Sequence, residues 1–302
     1  MDVSIIIVNY NTELLILDCI KSIYEKTQYI SFEIIVVDNA SSNDHAILKT
    51  DSRIRYIQSE TNLGFGKANN LGAKHAKGKY LFFLNPDTFL INNAIFILFQ
   101  FIENNHDVGI CGGNLYTKDL KPTHSHFTIA PGIKFELYNL FSGKTFLFKD
   151  VSYFNYSENP ISVEYITGAD LFIRKELFES INGFDKDFFM YFEESYLCFI
   201  AKQENSLVIN VPQAHIIHLE GQSFSLKEKR EMLYLQGRKL YLTKRYGFIY
   251  YEICNIIYFI TCLTRLLLFH IHNDEIKTNY WRQKIRVFLK YIIRKDKNRQ
   301  SR

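Results

Sequence analysis

The chain opens on Val3-Ser4-Ile5-Ile6-Ile7-Val8 and returns to the same kind of run at Glu33-Ile34-Ile35-Val36-Val37-Asp38. Continuous β-branched runs belong to strands buried on both faces, because a half-exposed strand alternates apolar with polar residues. Between the two, apolar residues at 14, 15, 17, 20, 23 and 24 line one side of a helix over 13–27. This β-α-β unit continues outward through a strand at 54–57, a helix at about 66–77, a strand at 80–84, a helix at 91–104 and a strand at 108–111. Such alternation predicts a Rossmann-like, mostly parallel α/β sheet flanked by helices, with a ligand site beyond the carboxyl ends of its strands.

Past residue 115 the pattern weakens. An aromatic-rich stretch to 163, with Pro122, Pro131, Gly132 and Pro160, reads as a variable insertion or lid. Regularity returns with a strand near 163–167, helices at 175–181 and 193–203, a strand at 207–211 and a long helix at 226–245. The division expected is 1–115, 116–246 and a helical tail over 247–302.

Composition bounds the rest. The 302 residues are 47% apolar with 36 Lys+Arg against 32 Asp+Glu, which excludes a disordered or collagenous chain. The charge is uneven: residues 277–302 hold ten Lys/Arg and one acid, Asp296, so the rest of the chain is mildly acidic. A basic end on an acidic body suits an anionic surface, and without a recognised nucleic-acid motif that surface is membrane rather than nucleic acid. Residues 248–271 are very apolar, but Glu252 and Arg265 interrupt them and argue against a transmembrane helix. In the next segment Trp281, Ile285, Phe288, Leu289 and Ile292 share one helix face and Arg286, Lys290 and Arg294 the other, the pattern of an interfacial helix on anionic lipid. Five scattered cysteines without a CxxC pair read as reduced structural thiols, and no signal peptide is visible, so the expected location is cytoplasmic, peripheral on the inner face of the cell membrane.

Three polar groups stand where the strands end: Asn9-Tyr10-Asn11, Asp38-Asn39-Ala40-Ser41-Ser42 and Asn85-Pro86-Asp87. Asp38 can accept hydrogen bonds from a base or ribose, Tyr10 can stack on a base, and Asp87 can hold a divalent cation on a diphosphate. The stretch Asn62-Leu63-Gly64-Phe65-Gly66-Lys67-Ala68-Asn69-Asn70 is neither a Walker loop nor a dinucleotide fingerprint after the first strand, which disfavours P-loop ATPases and ordinary dehydrogenases.

These segments, joined by Leu84-Asn85-Pro86-Asp87-Thr88, Thr167-Gly168-Ala169, Gly183-Phe184-Asp185, Phe189-Met190-Tyr191-Phe192-Glu193-Glu194 and His218, resemble family 2 glycosyltransferases, and among them the bacterial rhamnosyltransferase-like branch, over about 3–245. The resemblance implies a GT-A fold and inverting transfer from a dTDP- or UDP-sugar to a saccharide or lipid-linked glycan, with rhamnose the first candidate and galactofuranose or a hexose the alternative. It implies a donor pocket of Tyr10, Asn11, Asp38, Asn69, Asn70 and Asn85, and Mg or Mn held by Asp87 with His218. Glu194 stands at the base position, paired with Glu193, and Asp185 near the acceptor; His215 reads as structural. The cation and Arg238 or Lys244 would neutralise the leaving diphosphate. Asn85 replaces the first acid of the family's metal motif, and Tyr196 and Ile200 stand where an Asp and an Arg are usual. That pair looks like a compensated swap, with a catalytically impaired nucleotide-sugar-binding relative as the rival reading. A sugar nucleotidyltransferase would carry a basic, Gly-rich signature after the first strand, and a processive synthase QxxRW; neither is present.

Overall fold

The computed structural model describes residues 1–42, 46–141, 148–219 and 227–300. In chain order its elements are β1 (Val3–Asn9), α1 (Glu13–Lys26), β2 (Phe32–Asp38), α2 (Ala46–Thr50), β3 (Ile54–Gln58), α3 (Phe65–Ala73), β4 (Tyr80–Leu84), β5 (Thr88–Leu90), α4 (Ala94–Asn104), β6 (Val108–Tyr116), β7 (His126–Phe127) and α5 (Ile133–Leu140). They continue as β8 (Ile161–Ser162), β9 (Tyr165–Ile166), β10 (Asp170–Arg174), α6 (Lys175–Ser180), α7 (Glu193–Gln203), β11 (Leu207–His218), α8 (Lys227–Tyr246), α9 (Phe248–Ile271) and α10 (Glu275–Gln300). The chain forms two compact units, Met1–Thr128 with Ser152–Ser225, and Ile129–Val151 with Leu226–Arg302. The division therefore differs from the expected three segments: α5, from the irregular stretch, and α8 belong with the tail helices.

The first unit is a nine-stranded sheet in the order β3-β2-β1-β4-β10-β6-β11-β5, with β8 paired to β11. Strands β1 to β4 run parallel, as do β6 and β11. Alternate side chains of β1 face opposite layers. Ile5 and Ile7 meet Ile16, Cys19 and Ile20 of α1 and Leu98 of α4. Ile6 and Val8 meet Ala68 and Ala73 of α3 and Leu197 and Cys198 of α7. Burial on both sides is what the unbroken Val/Ile runs required.

Strand β10 was not expected. It lies antiparallel between β4 and β6, and its three apolar residues between Asp170 and Arg174 are too few to show a period. Strand β11 runs on beyond 211, where the reading stopped it. Proline cannot donate to a ladder, and Pro212 sits in a register shift between Asn210 and His215 after which pairing resumes. Helix α3 ends at Ala73, short of 77, where Ala76 N–H turns back to the Ala73 carbonyl. The expected start of α8 at 226 lies outside the described residues.

In the second unit the buried guanidinium of Arg238 meets Glu136 at 2.7 Å, donates to Asn255 Oδ1 at 2.7 Å and lies over the Tyr258 ring. Burial pushes the Glu136 carboxyl up, opposed by the Arg238 charge. Arg238, expected at the leaving diphosphate, is thus committed to a buried ion pair among α5, α8 and α9. The α10 face read as lipid-facing is corrected as well: Trp281, Ile285, Phe288 and Ile292 pack with Leu235, Tyr258 and Cys262, leaving Leu289 exposed. The Arg294 side chain of the opposite face lies outside the described ones. Nor do Glu252 and Arg265 interrupt α9: it is a continuous 24-residue helix with an 18-residue stretch of mean hydropathy 1.7, long and apolar enough by length and composition to cross a membrane.

Candidate active site

The loops after β1 and β2 meet beyond the carboxyl ends of the strands, and the loop after β4 leaves the parallel sheet at the same end. Asn9 Oδ1 accepts from the Thr12 backbone N–H and hydroxyl, both at 3.0 Å, and shapes the first turn. Asn11, at φ 59°, latches the first loop to the second: its N–H donates to Ser41 Oγ at 2.9 Å and its Oδ1 accepts from the Ser42 N–H at 2.8 Å. Tyr10 and Asn11 are both exposed, Tyr10 to 41%.

Asp38 is 1% exposed, and both its oxygens are occupied. Oδ1 accepts from Ser41 Oγ at 2.5 Å and the Ser41 N–H at 3.1 Å, Oδ2 from Tyr56 Oη at 2.9 Å and Gln58 Nε2 at 2.8 Å. Burial raises its pKa, but these hydrogen bonds outweigh it and hold the carboxyl below its usual range. Asp38 is therefore held in place by Ser41, Tyr56 and Gln58, which sets Tyr56 and Gln58 beside it at the strand ends. Sequence reasoning missed both; the signal was their period-two spacing on a strand whose register sets Gln58 beside Asp38.

Asn69 is buried and donates to the Phe65 carbonyl within α3. Asn70 grips one residue from both sides, accepting from the Phe184 N–H at 2.9 Å and donating to its carbonyl at 2.7 Å. That clamp fixes the Gly183-Phe184-Asp185 turn, in which Asp185 Oδ1 accepts from the Asp187 N–H. Both asparagines thus bond to backbone, Asn69 within α3 and Asn70 across to the 183–185 turn.

Asp87 and His218 are brought together by the β5–β11 pairing, which sets His218 opposite Thr88. His218 Nε2 lies 3.4 Å from Asp87 Oδ1 and 3.3 Å from Asn85 Nδ2, and its buried Nδ1 has no hydrogen-bond partner among the described residues. His124, also missed, is electrostatically coupled to His218; burial pushes its pKa down to about 4, so it is neutral at pH 7. His215 packs edge-on against Tyr116, as its structural reading expected. Among the described residues no group of three or more His, Cys, Asp or Glu side chains forms a metal cage. One carboxylate and one imidazole fit a Mg- or Mn-type site that takes its remaining oxygens from a diphosphate.

The paired glutamates open α7. Phe192 caps the helix in a left-handed conformation at φ 69°, directly after Tyr191 at φ 70°. Two such non-glycine residues cost on the order of 1–3 kcal/mol each, the kind of strain that clusters at working sites. A methyl at Gly66 would lie 3.7 Å from Glu193 Cβ, and one at Gly168 3.8 Å from Glu194 Cβ, so Glu193 faces α3 while Glu194 faces the 167–169 turn. The same turn carries the Ala169 carbonyl that accepts from Asn85 N–H at 3.0 Å, which links Glu194 to the Asn85-Pro86-Asp87 corner. Burial and the neighbouring Glu194 charge drive the Glu193 pKa well up, and its Oε2 is unpartnered. Burial raises Glu194 too, but backbone N–H groups of Glu194 and Ser195 and the Ser195 hydroxyl at 3.1 Å support its charge. Both carboxyls are thus pushed up, Glu193 the more strongly, because hydrogen bonds to the charged form oppose burial mainly at Glu194. Tyr196 lies tilted against Phe188 and Phe199, with ring centroids at 5.4 Å and 5.8 Å.

The profile of Glycosyl transferase family 2 matches residues 4–180, more than half of the chain. The low-salt glycan biosynthesis hexosyltransferase Agl10 of Haloferax volcanii is 28% identical over 251 residues, 80% of this chain and 75% of its own. The glycosyltransferase GlyG of Streptococcus pneumoniae is 29% identical over 132 residues, covering 42% of this chain and 43% of its own. Among solved structures, a mannosyltransferase from Pyrobaculum calidifontis in complex with GDP-Man and Mn2+ superposes with a TM-score of 0.59 at 13% identity, over 96% of this chain and 84% of that one. GalNAc-T7 with UDP, GalNAc and Mn2+ superposes at 0.60 and 16% identity, over 81% of this chain and 48% of that one. At these identities the superpositions show a shared GT-A fold, and with the profile match the chain belongs to glycosyl transferase family 2.

Proposed function

We propose that the protein is an inverting glycosyltransferase that moves one sugar, rhamnose from dTDP-rhamnose in the first instance, to a saccharide or lipid-linked glycan at the cytoplasmic face of a membrane. The carrying observation is the buried glutamate pair at the head of α7, its Glu194 joined through the 167–169 turn to Asn85-Pro86-Asp87. Glu194 takes the proton of the acceptor hydroxyl as that oxygen bonds to the anomeric carbon. The bond from that carbon to the diphosphate oxygen breaks, and the nucleoside diphosphate leaves with the electron pair. Asp87 and His218 would hold a divalent cation, which supplies charge neutralisation to the leaving diphosphate. Tyr10 and the Tyr56–Gln58 pair over Asp38 would frame the base. The pocket does not select by itself between thymine and uracil, so UDP-galactofuranose and UDP-hexoses belong in the same trial.

The test is turnover of dTDP-rhamnose, UDP-galactofuranose, UDP-glucose and UDP-GlcNAc by purified protein with Mg or Mn, beside Asp87→Ala and Glu194→Gln. Consumption of one donor, lost in both variants while Glu194→Gln still binds it, supports the reading. Near-normal turnover by Glu194→Gln removes the base assignment. Donor binding without turnover, even with a lipid-linked acceptor supplied, favours the impaired relative.

A further inference from the structure

We propose that the outer face of α9 is the surface by which the protein lies on an anionic bilayer, in the plane of the headgroups. This rests on the membrane-surface part of the reading above and moves the contact from α10 to α9. Ile249, Ile253, Ile256, Ile260, Leu263 and Leu267 are all exposed, Ile249 to 79% and Ile256 to 62%. Their spacing of i, i+4, i+7, i+11, i+14 and i+18 makes one stripe along the helix, prolonged by Ile271. Scattered exposed apolar residues need no explanation, but a continuous row of this length does.

The charges of α9 are directed away from the stripe. Glu252 accepts from Asn255 Nδ2 at 3.2 Å, and Arg265 donates to the Asn139 carbonyl of α5 at 2.8 Å. The inner face, Tyr251, Cys254, Asn255, Tyr258 and Cys262, is buried, with Asn255 bonded to Arg238. A spanning helix would carry that ionic core and the helices around it into hydrocarbon, whereas one lying flat buries only the apolar row. Charge complementarity names the surface. Phe288 of α10 packs on Tyr258 and Phe259 of α9, and α10 exposes Arg282 and Arg286. Exposed basic side chains on the helix that packs against α9 are what anionic headgroups attract. The same spacing would serve a helix pair between two copies, but such seams take their register from flanking charges, and those of α9 are tied inward.

The experiment is flotation of the full-length chain with vesicles of phosphatidylcholine alone or mixed with phosphatidylglycerol, beside an Ile256→Glu/Leu263→Glu variant whose exposed positions leave the fold intact by circular dichroism. The proposal expects binding to the anionic vesicles, release by alkaline carbonate, and a loss of at least about tenfold in the variant, whose turnover on a soluble acceptor is unchanged. Vesicle binding undiminished in the variant would overturn it, as would retention after carbonate, the mark of a spanning helix. A dimer that the variant dissociates, with no vesicle binding by either protein, would assign the stripe to a second copy instead. Stripe-dependent binding by a chain that turns over no donor supports this inference while defeating the catalytic one.

Discussion

Replacing Gly64 by Ala tests how the catalytic helix is held. Gly64 sits at φ +81°, and a methyl there would overlap the Phe189 carbonyl oxygen and lie 2.9 Å from its carbonyl carbon. That carbonyl accepts the Phe65 N–H at 2.9 Å, which ties the start of α3 to the loop leading into Glu193 and Glu194. The left-handed backbone alone costs a non-glycine residue about 1–2 kcal/mol. Displacing Phe189 adds about 1–3 kcal/mol for the unmade hydrogen bond. Gly247 separates the two terms, because it has φ +88° and nothing within 4 Å of an added methyl. Gly247→Ala should therefore cost about 1–2 kcal/mol and Gly64→Ala about 3 kcal/mol, the latter lowering Tm by roughly 6–12 °C for a unit of this size. Urea unfolding of the two variants beside the parent reads the difference, and initial rates at saturating donor read the consequence, a kcat that falls at temperatures where Gly64→Ala is still folded. Equal destabilisation by the two substitutions, with turnover unchanged, would refute the claim that this close approach positions α7.

Asn70→Ala releases both ends of the Phe184 clamp and should cost about 2–4 kcal/mol; steady-state kinetics should show kcat reduced and donor KM unchanged, whereas a rise in KM alone would return Asn70 to the donor pocket. Arg238→Met strands a buried Glu136 and should cost about 3–5 kcal/mol in urea unfolding, most of it recovered by Glu136→Gln/Arg238→Met. The transfer rate should rise with pH through an ionisation above the ordinary Glu value of 4.5, because the base must be deprotonated and burial raises it. Glu193→Gln removes only the carboxyl that burial pushes up the further and leaves Glu194 in place, so the rate profile should keep that limb. Because the raised Glu193 pKa makes the folded state hold a proton that the unfolded chain releases near pH 4.5, its contribution to stability is lost as pH rises through the folded value; denaturation midpoints of Glu193→Gln should therefore fall less with pH than those of the parent.

The positions that could be read from the sequence are those whose signal is local. The Val/Ile runs at 3–8 and 33–38 carry their own burial pattern, and the groups closing the strands at Asn9, Asp38 and Asp87 follow once those strands are placed. Glu193 and Glu194 were visible as a motif, and the helix they open spans the expected 193–203. Less legible was what each side chain does. Asn11, Asn69 and Asn70 lie where donor-binding groups were expected, yet their amides bond loops and helices, because their partners at Ser42, Phe65 and Phe184 are set by packing and not by spacing.

By itself the sequence determined the α/β alternation, the strand-end site and the amphipathic character of the tail, all of which arise from side-chain periodicity and turn chemistry within a few residues. Only the tertiary structure decided that β10 enters the sheet antiparallel between β4 and β6, that Ser41, Tyr56 and Gln58 hold Asp38, and that burial pushes both glutamates of an adjacent pair up, Glu193 the further. It also decided that the apolar face of α10 is spent on α8 and α9 while the row on α9 stays open. Strand pairing, desolvation and the choice of which apolar face is covered are set by residues far apart in the chain, and no local pattern contains them.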